Sequence, residues 1–323
     1  MSESLTPHSP PCQTQQNLSD FSPRHAVWDR RKSEGDTVSE ILLAAPDMIN
    51  RSQRIHDCSD HLILKRTIDT GSGVIEAQAH SAKCRDRACP ICQQARSIIL
   101  KQELSVAFRR LLEDHPKARF LFVTLTVRNC PVTELKATLA KMNSAFNAMT
   151  KTVLFKTRIQ GWTRTTEVTR GDDDTAHPHF HCVFVVTPSY FTHKYITQSA
   201  WADCWRTALG VDYSPVVDIR AVKDVNGALL EVTKISGYSV KVDDALHRHA
   251  DWFVEYQRQV KGSRFFAAGG WVKKCLSAIR QPGVGDDIAE PSPSSQGNPD
   301  TETSVAVFDW NRPVKKYRRR KDD

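Results

Sequence analysis

Three histidines alternate with other residues in the segment HPHFH, at positions 177, 179 and 181. In an extended strand successive side chains point to opposite faces, so the three imidazoles share one face while Phe180 and Cys182 point to the other. Histidines at i and i+2 can bind a divalent ion, and the apolar residues between them hold the strand in place. The spacing therefore predicts a metal site with His177, His179 and His181 as ligands.

A carboxylate is available on the preceding predicted strand, Trp162 to Arg170. Glu167 shares the parity of Thr165 and Thr169, which mark the polar face of that strand, and a short hairpin would bring it near the histidines. We predict Glu167 as a further ligand, in a mixed nitrogen and oxygen site suited to Mg²⁺ or Mn²⁺. One alternative is that the histidines form a surface cluster without a function. Another is a zinc hydrolase, although such sites usually have additional Asp or His ligands in recognisable motifs, and none follows here.

A tyrosine flanked by lysines lies further along the chain. Lys234, Tyr238 and Lys241 recur at i, i+4 and i+7, so they share one face of a helix predicted at 228–241. Because an unperturbed tyrosine has a pKa of about 10, neighbouring ammonium groups would help it to act as a nucleophile near neutral pH. We predict Tyr238 as a nucleophile toward a phosphate bound at the metal, with Tyr256 as the alternative.

Cysteines are clustered upstream in the pattern C-x4-C-x2-C, beside three arginines. The predicted ligands of a structural zinc ion are Cys58, Cys84, Cys89 and Cys92. His56 and His80 compete with Cys58 for the fourth position. The alternative is a set of unrelated core thiols.

The elements that position these residues follow from apolar periodicity. Strands are predicted at 120–127, 162–170, 178–186 and 216–222, and helices at 133–151, 195–208 and 228–241. The order β-α-β-β-α-β-α is typical of the split βαβ arrangement. We therefore predict an α+β fold with a ferredoxin-like antiparallel sheet, helices on one face and the other face free for chemistry.

Composition divides the chain into four parts. Residues 1–50 and 281–323 are rich in Ser, Pro and polar residues, so both are predicted to be disordered tails. The second tail ends in a basic run at 315–321, which could contact phosphates or simply be solvated. Between the tails, residues 51–100 are predicted to form a zinc-binding module and residues 101–280 the catalytic domain.

Charge and cysteine content indicate the partner and the compartment. A net charge of +8 and a pI near 9.0 favour an anionic partner, and without a long apolar run nucleic acid is favoured over membrane. No secretory leader is recognisable, so we predict a cytoplasmic protein whose nine cysteines are metal ligands or core thiols. No GxxxxGK[ST] loop is present in the sequence, which predicts that any unwinding motor is a separate protein.

The histidine strand resembles a known motif. His179, Phe180 and His181 are similar to the HUH motif (histidine, hydrophobic residue, histidine) of HUH endonucleases. FLFVTLTVRN at 120–129 is similar to the first motif, FLTLTxxN, of plasmid rolling-circle replication initiators, and GWTRTTEVTR followed by HPHFH is similar to the second. By this resemblance, the domain at 101–280 is expected to be an HUH endonuclease domain.

Two further segments strengthen the resemblance to the Rep class of these initiators. CRDRACPICQQARS resembles the family's cysteine motif, with Cys58 matching its upstream cysteine. The segment from YITQSAWADCW through YSPVVDIRAV is also similar to Rep initiators of staphylococcal and Gram-negative plasmids. The matching region covers residues 55–280 approximately.

The resemblance also implies roles around Tyr238. The family's third motif, ExxKYxxK, contains a tyrosine nucleophile and a glutamate that activates water in the terminating cleavage. It therefore implies Tyr238 as the nucleophile and Glu231 as that base. In this chain three residues separate Lys234 from Tyr238, so Glu231 precedes the tyrosine by seven residues instead of four.

The implied activity is a metal-dependent nick in one strand at a plasmid origin. It would leave a 5′-phosphotyrosine on the enzyme and a 3′ hydroxyl that primes rolling-circle replication. The implied partners are plasmid origin DNA, single-stranded at the nick, and a host helicase and DNA polymerase. Two alternatives remain: an HUH transposase or relaxase with the same chemistry, and a zinc-dependent DNA-binding regulator in which the histidine strand is inert.

Overall fold

The computed structural model describes residues 16–69, 75–222, 246–279 and 301–320. The chain divides into two compact units made of interleaved segments. The smaller unit comprises Met1–Ser33, Cys58–Lys83 and Ala289–Asp323, and the larger comprises Glu34–Asp57 and Cys84–Ile288. The sequence predicts boundaries at residues 50, 100 and 280, whereas the smaller unit joins segments from the beginning, middle and end of the chain. Among the described helices, none has the length and apolar character needed to span a membrane.

Helices and strands alternate along the described residues. The α-helices are α1 (Leu18–Phe21), α2 (Val27–Leu43), α3 (Ile49–His56), α4 (Pro90–Asp114), α5 (Leu135–Met149), α6 (Val153–Arg158), α7 (Gln198–Leu209), α8 (Ala250–Gln259) and α9 (Gly270–Ile279). The strands are β1 (His61–Asp69), β2 (Ile75–His80), β3 (Arg119–Thr126), β4 (Cys130–Pro131), β5 (Ile159–Arg170), β6 (Thr175–Val186), β7 (Val217–Val222), β8 (Phe266–Gly269), β9 (Thr301–Asn311) and β10 (Lys316–Arg319).

The smaller unit contains a four-stranded antiparallel sheet in the order β10-β9-β1-β2. Leu62 and Leu64 of β1 are buried and flank the exposed Ile63, as expected for a strand with one face on a core. Phe308 of β9 and Tyr317 of β10 are also fully buried. The core of this unit therefore includes side chains from the C-terminal segment.

The sequence predicts disordered tails, whereas the structure has ordered elements in the described parts of both. Residues 16–50 contain α1, α2 and the start of α3, and residues 301–320 contain β9 and β10. Leu18 in the first segment and Phe308 in the second are fully buried, as apolar side chains in ordered elements are expected to be. In the basic run, Lys316 pairs with Asp29 at 3.4 Å and Arg320 with Asp309 at 2.7 Å. Residues 1–15, 280–300 and 321–323 lie outside the described residues.

The larger unit contains an antiparallel sheet in the order β7-β3-β6-β5-β8, with β4 paired to β6. The predicted order of elements from the first strand to residue 222 is confirmed, with boundaries within three residues. The helix predicted at 228–241 lies outside the described residues.

Helices cover both faces of this sheet, whereas the sequence predicts helices on one face. On one face Phe180 and Phe184 contact Phe146 of α5 and Trp201 of α7 at ring-centroid distances of 6.0 and 5.7 Å respectively. On the other, the core formed by α4, α9 and the sheet includes Leu104, Phe108, Phe120, Phe122, Val183, Val185, Val272 and Leu276. The predicted βαβ pattern does not include these two helices, because α4 precedes its first strand and α9 follows its last.

Candidate functional site

The pairing of β5 with β6 brings a carboxylate and two imidazoles together. Glu167 lies opposite His179, and Thr165 opposite His181, so all four side chains share one face of the sheet. The Nε2 atoms of His179 and His181 each lie 3.0 Å from Oε2 of Glu167. The three side chains offer ligand atoms within 4.8 Å of one another, which is a set that can hold one metal ion.

The second nitrogen of each of these histidines contacts a protein oxygen. Nδ1 of His179 is 3.2 Å from the carbonyl oxygen of His177, and Nδ1 of His181 is 3.3 Å from Oγ1 of Thr124. When Nδ1 carries the proton and donates it to such an oxygen, the Nε2 lone pair remains for a metal. Phe122 also stacks against the His181 ring, with centroids 5.5 Å apart. These contacts orient both imidazoles toward Glu167.

The charge state of the cluster suits a cation. Hydrogen bonds from His179 and His181 lower the pKa of Glu167 to about 2, against the opposing effect of burial. The carboxylate is therefore ionised at neutral pH. Burial, with the nearby charge of His179, lowers the pKa of His177 and favours its neutral form, which is the form that binds metals. Two imidazole nitrogens and a carboxylate oxygen in a half-buried site fit a divalent ion.

His177 lies beside this cluster. Its ring centroid is 5.1 Å from that of His179, and its Nδ1 is 2.6 Å from Oδ1 of Asn129. Asn129 in turn donates from Nδ2 to Oγ1 of Thr175 at 3.0 Å. The geometric set consists of Glu167, His179 and His181, so the role of His177 as a further ligand stays a prediction.

Sequence reasoning missed two residues that orient the site. Thr124 shares the parity of Phe122 and Thr126 in β3, so its side chain lies on the face that carries His181. This alternation along β3 is visible in the sequence and places Thr124 on the same face as Phe122 and Thr126. Asn129, which contacts His177, closes the segment FLFVTLTVRN and follows the end of β3. Only its position after the strand could have suggested a role.

The four cysteines predicted as zinc ligands form a second possible metal site. One sulfur from each of Cys58, Cys84, Cys89 and Cys92 lies within 4.8 Å of the others. The competing proposals, His56 and His80, are not members of this group. Among the described residues the thiols predicted to be ordinary are largely buried, and burial raises the pKa of the Cys130, Cys182, Cys204 and Cys275 side chains.

Arginine side chains support the loop that carries these cysteines. Arg54 donates to the Cys84 carbonyl, and Arg96 donates to the Asp86 carbonyl at 3.3 Å. Arg51 makes two hydrogen bonds to the Asp86 carboxylate, at 2.9 and 2.8 Å. The loop therefore has backbone and side-chain anchors of its own in addition to any ion.

The structure does not describe the candidate nucleophile or the residues predicted to assist it. Tyr238, Glu231, Lys234 and Lys241 all lie outside the described residues. The alternative nucleophile, Tyr256, is fully buried in α8 and stacks on Trp252 with ring centroids 5.4 Å apart. Because a nucleophile must reach its substrate, this burial argues against Tyr256.

Comparisons with known proteins place these features in a family. Residues 76–318 match a family model described as replication protein. Protein rep of Streptococcus pneumoniae is 34% identical over 224 residues, covering 67% of this chain and 69% of that protein. Protein rep of Lactiplantibacillus plantarum is 30% identical over 302 residues, covering 88% of this chain and 93% of that protein. No solved structure matches the chain significantly.

Proposed function

Because the chain belongs to the family of Rep replication proteins that initiate plasmid replication, we propose that it nicks one strand of a plasmid origin and starts rolling-circle replication. The observation that carries this proposal is the convergence of Glu167, His179 and His181 on one face of the sheet. A cation-binding site of this kind suits phosphate chemistry. The family match favours an initiator over a transposase or relaxase.

The topology of the larger unit supports an HUH nuclease fold. In the order of the chain, β3, β5, β6 and β7 are the four strands of the predicted ferredoxin-like arrangement. In the sheet they lie in the order β7-β3-β6-β5, with α5 and α6 between the first two strands and α7 between the last two. A split βαβ unit places its first and third strands side by side at the centre of the sheet. The histidines lie on the third strand, β6, and Thr124 lies on the first, β3.

The chain's own residues prepare the site for a divalent ion. Glu167, His179 and His181 would hold Mg²⁺ or Mn²⁺, with His177 as a further ligand, and the bound ion would polarise the scissile phosphate. With an ion bound, Nδ1 of His179 and His181 would donate to the His177 carbonyl and the Thr124 hydroxyl, which leaves Nε2 of each to face the ion. The low pKa of Glu167 keeps its carboxylate charged at neutral pH.

Tyr238 is the proposed nucleophile. Its phenolate oxygen attacks the phosphorus atom, the bond to the 3′ oxygen breaks, and that oxygen takes up a proton as a free 3′ hydroxyl. The protein then carries a 5′-phosphotyrosine. Lys234 and Lys241 would stabilise the phenolate, and Glu231 would remove a proton from water in the terminating cleavage.

The cysteine cluster is proposed to hold a structural zinc ion. Four cysteine sulfurs grouped at Cys58, Cys84, Cys89 and Cys92 fit the tetrahedral thiolate sites that zinc prefers in proteins. Closed four-cysteine sites leave no coordination position for a substrate, so we assign no catalytic step to this ion. The proposed partners are origin DNA, single-stranded at the nick, and a host helicase and polymerase.

A nicking assay tests the proposal. Supercoiled plasmid carrying the origin is incubated with the protein and Mn²⁺, and the covalent adduct is digested and analysed by mass spectrometry. We expect open circular DNA and an adduct on Tyr238, with both lost in Tyr238→Phe. Tyr256→Phe, the same change at the fully buried tyrosine of α8, is the matched control and should leave both unchanged.

Two outcomes would contradict the proposal in different ways. An adduct on Tyr256 would overturn the nucleophile assignment alone. Specific origin binding without nicking or adduct would favour the zinc-dependent regulator, in which the histidine strand is inert.

A further inference from the structure

Two segments of the larger unit that are largely at the surface carry basic residues and no acidic ones. They are residues 151–158, which contain α6, and residues 187–197, the loop between β6 and α7. Neither segment contains Asp or Glu. Their basic residues are Lys151, Lys156, Arg158, His193 and Lys194. We call the two segments together the aromatic–basic surface.

Hydrogen bonds hold the loop of this surface. Tyr190 is buried, and its hydroxyl accepts a hydrogen bond from Nε1 of Trp201 at 3.1 Å. The backbone amides of His193 and Lys194 both donate to the carbonyl oxygen of Ser189, at 3.1 and 2.9 Å. A loop fixed in this way loses little conformational entropy when it binds a ligand.

Two aromatic rings are displayed on this rigid loop. Phe191 and Tyr195 pack edge-on against Tyr190, with ring centroids 5.3 and 6.0 Å away. Even so, Phe191 is 43% exposed and Tyr195 is 63% exposed. Nε of Arg158 donates to the Lys194 carbonyl oxygen at 3.1 Å, which joins α6 to the loop. Exposed rings and cations therefore lie side by side.

We propose that the aromatic–basic surface binds single-stranded DNA. Exposed aromatic rings stack on bases without sequence preference, and neighbouring cations contact the phosphates between them. The core of a protein-binding patch is instead depleted of charged residues. This inference rests on the proposed function only in taking DNA as the substrate.

The surface is separate from the ion site along the same strand. Six residues of extended chain lead from His181 to Thr187, which is roughly 20 Å at about 3.3 Å per residue. A DNA strand that occupies both places must therefore extend several nucleotides beyond the nick. The surface would retain the strand several nucleotides away from the cleaved phosphate.

Binding of a fluorescent dT20 oligonucleotide to the full-length protein tests the inference by fluorescence anisotropy. We expect the double variant Phe191→Ala/Tyr195→Ala to bind dT20 at least about tenfold more weakly, since base stacking on aromatic rings is a substantial part of such affinity. Phe191→Tyr/Tyr195→Phe keeps both rings and should bind like the wild type. Circular dichroism and thermal unfolding check that each variant is folded.

Salt dependence tests the cationic part of the surface. Affinity for single-stranded DNA falls as salt rises, with a slope of about −0.7 in log affinity against log salt for each neutralised phosphate. For Lys156→Ala/Lys194→Ala, which loses two such contacts, we expect this slope to be less steep by about 1.4. Lys101→Ala/Lys273→Ala removes the same charge from α4 and α9 and should leave dT20 binding close to the wild type.

The results separate this inference from the proposed function. His179→Ala, expected to lose nicking, should lose far less dT20 affinity than Phe191→Ala/Tyr195→Ala. Unchanged dT20 affinity in a folded Phe191→Ala/Tyr195→Ala protein would overturn this inference. It would leave the proposed nicking function untouched. Weaker binding of duplex DNA alone, with dT20 binding preserved, would also overturn it.

Discussion

The two halves of β6 have the same alternating geometry and opposite roles. Near its start, one face carries His179 and His181, whose Nε2 atoms meet at Glu167. Near its end the same face carries Val183 and Val185, which are fully buried in the core with α4 and α9. The strand is therefore fixed by packing at one end, which allows polar ligands to be held in place at the other.

The largest expected effect is at the ion site. His181→Ala should reduce origin nicking by about 1000-fold, or about 4 kcal/mol of barrier, because metal polarisation contributes several kcal/mol to such reactions. The free energy of unfolding should change by less than about 1 kcal/mol. Nicking of supercoiled plasmid and urea unfolding measure the two quantities. A variant that nicks normally would contradict the role of this half of β6.

Val183→Ala, two residues away on the same face, should have the converse effect. It removes two methyl groups from a fully buried position and should lower the free energy of unfolding by about 2 kcal/mol, from reduced burial and the cavity that remains. Below the unfolding transition it should nick like the wild type. A large loss of nicking in the folded variant would show that packing at the end of β6 and ion binding near its start depend on each other.

Thr124→Val should have a smaller effect on nicking, and it tests whether Thr124 orients the His181 ligand. It removes the oxygen 3.3 Å from Nδ1 of His181 without a large change in volume. Loss of such a partner should weaken Mn²⁺ binding about tenfold, at the low end of the 10–100-fold expected. Titration calorimetry measures the affinity, and excess Mn²⁺ should restore nicking. Thr207→Val, at an exposed position on α7, is the control.

The smallest expected effect concerns acid stability of the metal-free protein. The pKa of Glu167 is lowered to about 2, so its carboxylate stabilises the fold above its ordinary pKa near 4.5 and this contribution declines as pH falls toward 2. The stability advantage over Glu167→Gln should shrink by about 1 kcal/mol between pH 6 and pH 3.5. Urea unfolding with a chelator measures it, and an advantage that grows on acidification would contradict the assignment.

Much of the site was predictable because it depends on local geometry. Alternation in β6 predicts that His179 and His181 share a face, and the parity of β5 predicts that Glu167 can join them. The predicted grouping of four cysteines is also present. The roles of Tyr238 and its neighbours stay predictions, since these residues lie outside the described part of the chain.

Other features depended on contacts between distant parts of the chain. Strand β9 pairs with β1 across roughly 240 residues of sequence, for example at Leu62 and Phe308. A polar, serine- and proline-rich context hides the short alternating pattern that makes this pairing possible. The partner that orders such a strand cannot be read from the strand itself.

Alternation along the chain is enough to identify the candidate metal ligands and the face of the strand that they occupy, because side-chain direction in a strand has a period of two. The packing of α4 and α9 on the other half of that face, and the contacts of Thr124 and Asn129 with the histidines, are features of the folded chain alone. Burial and hydrogen-bond partners arise from elements that meet in space, and their distance along the chain gives no measure of that proximity.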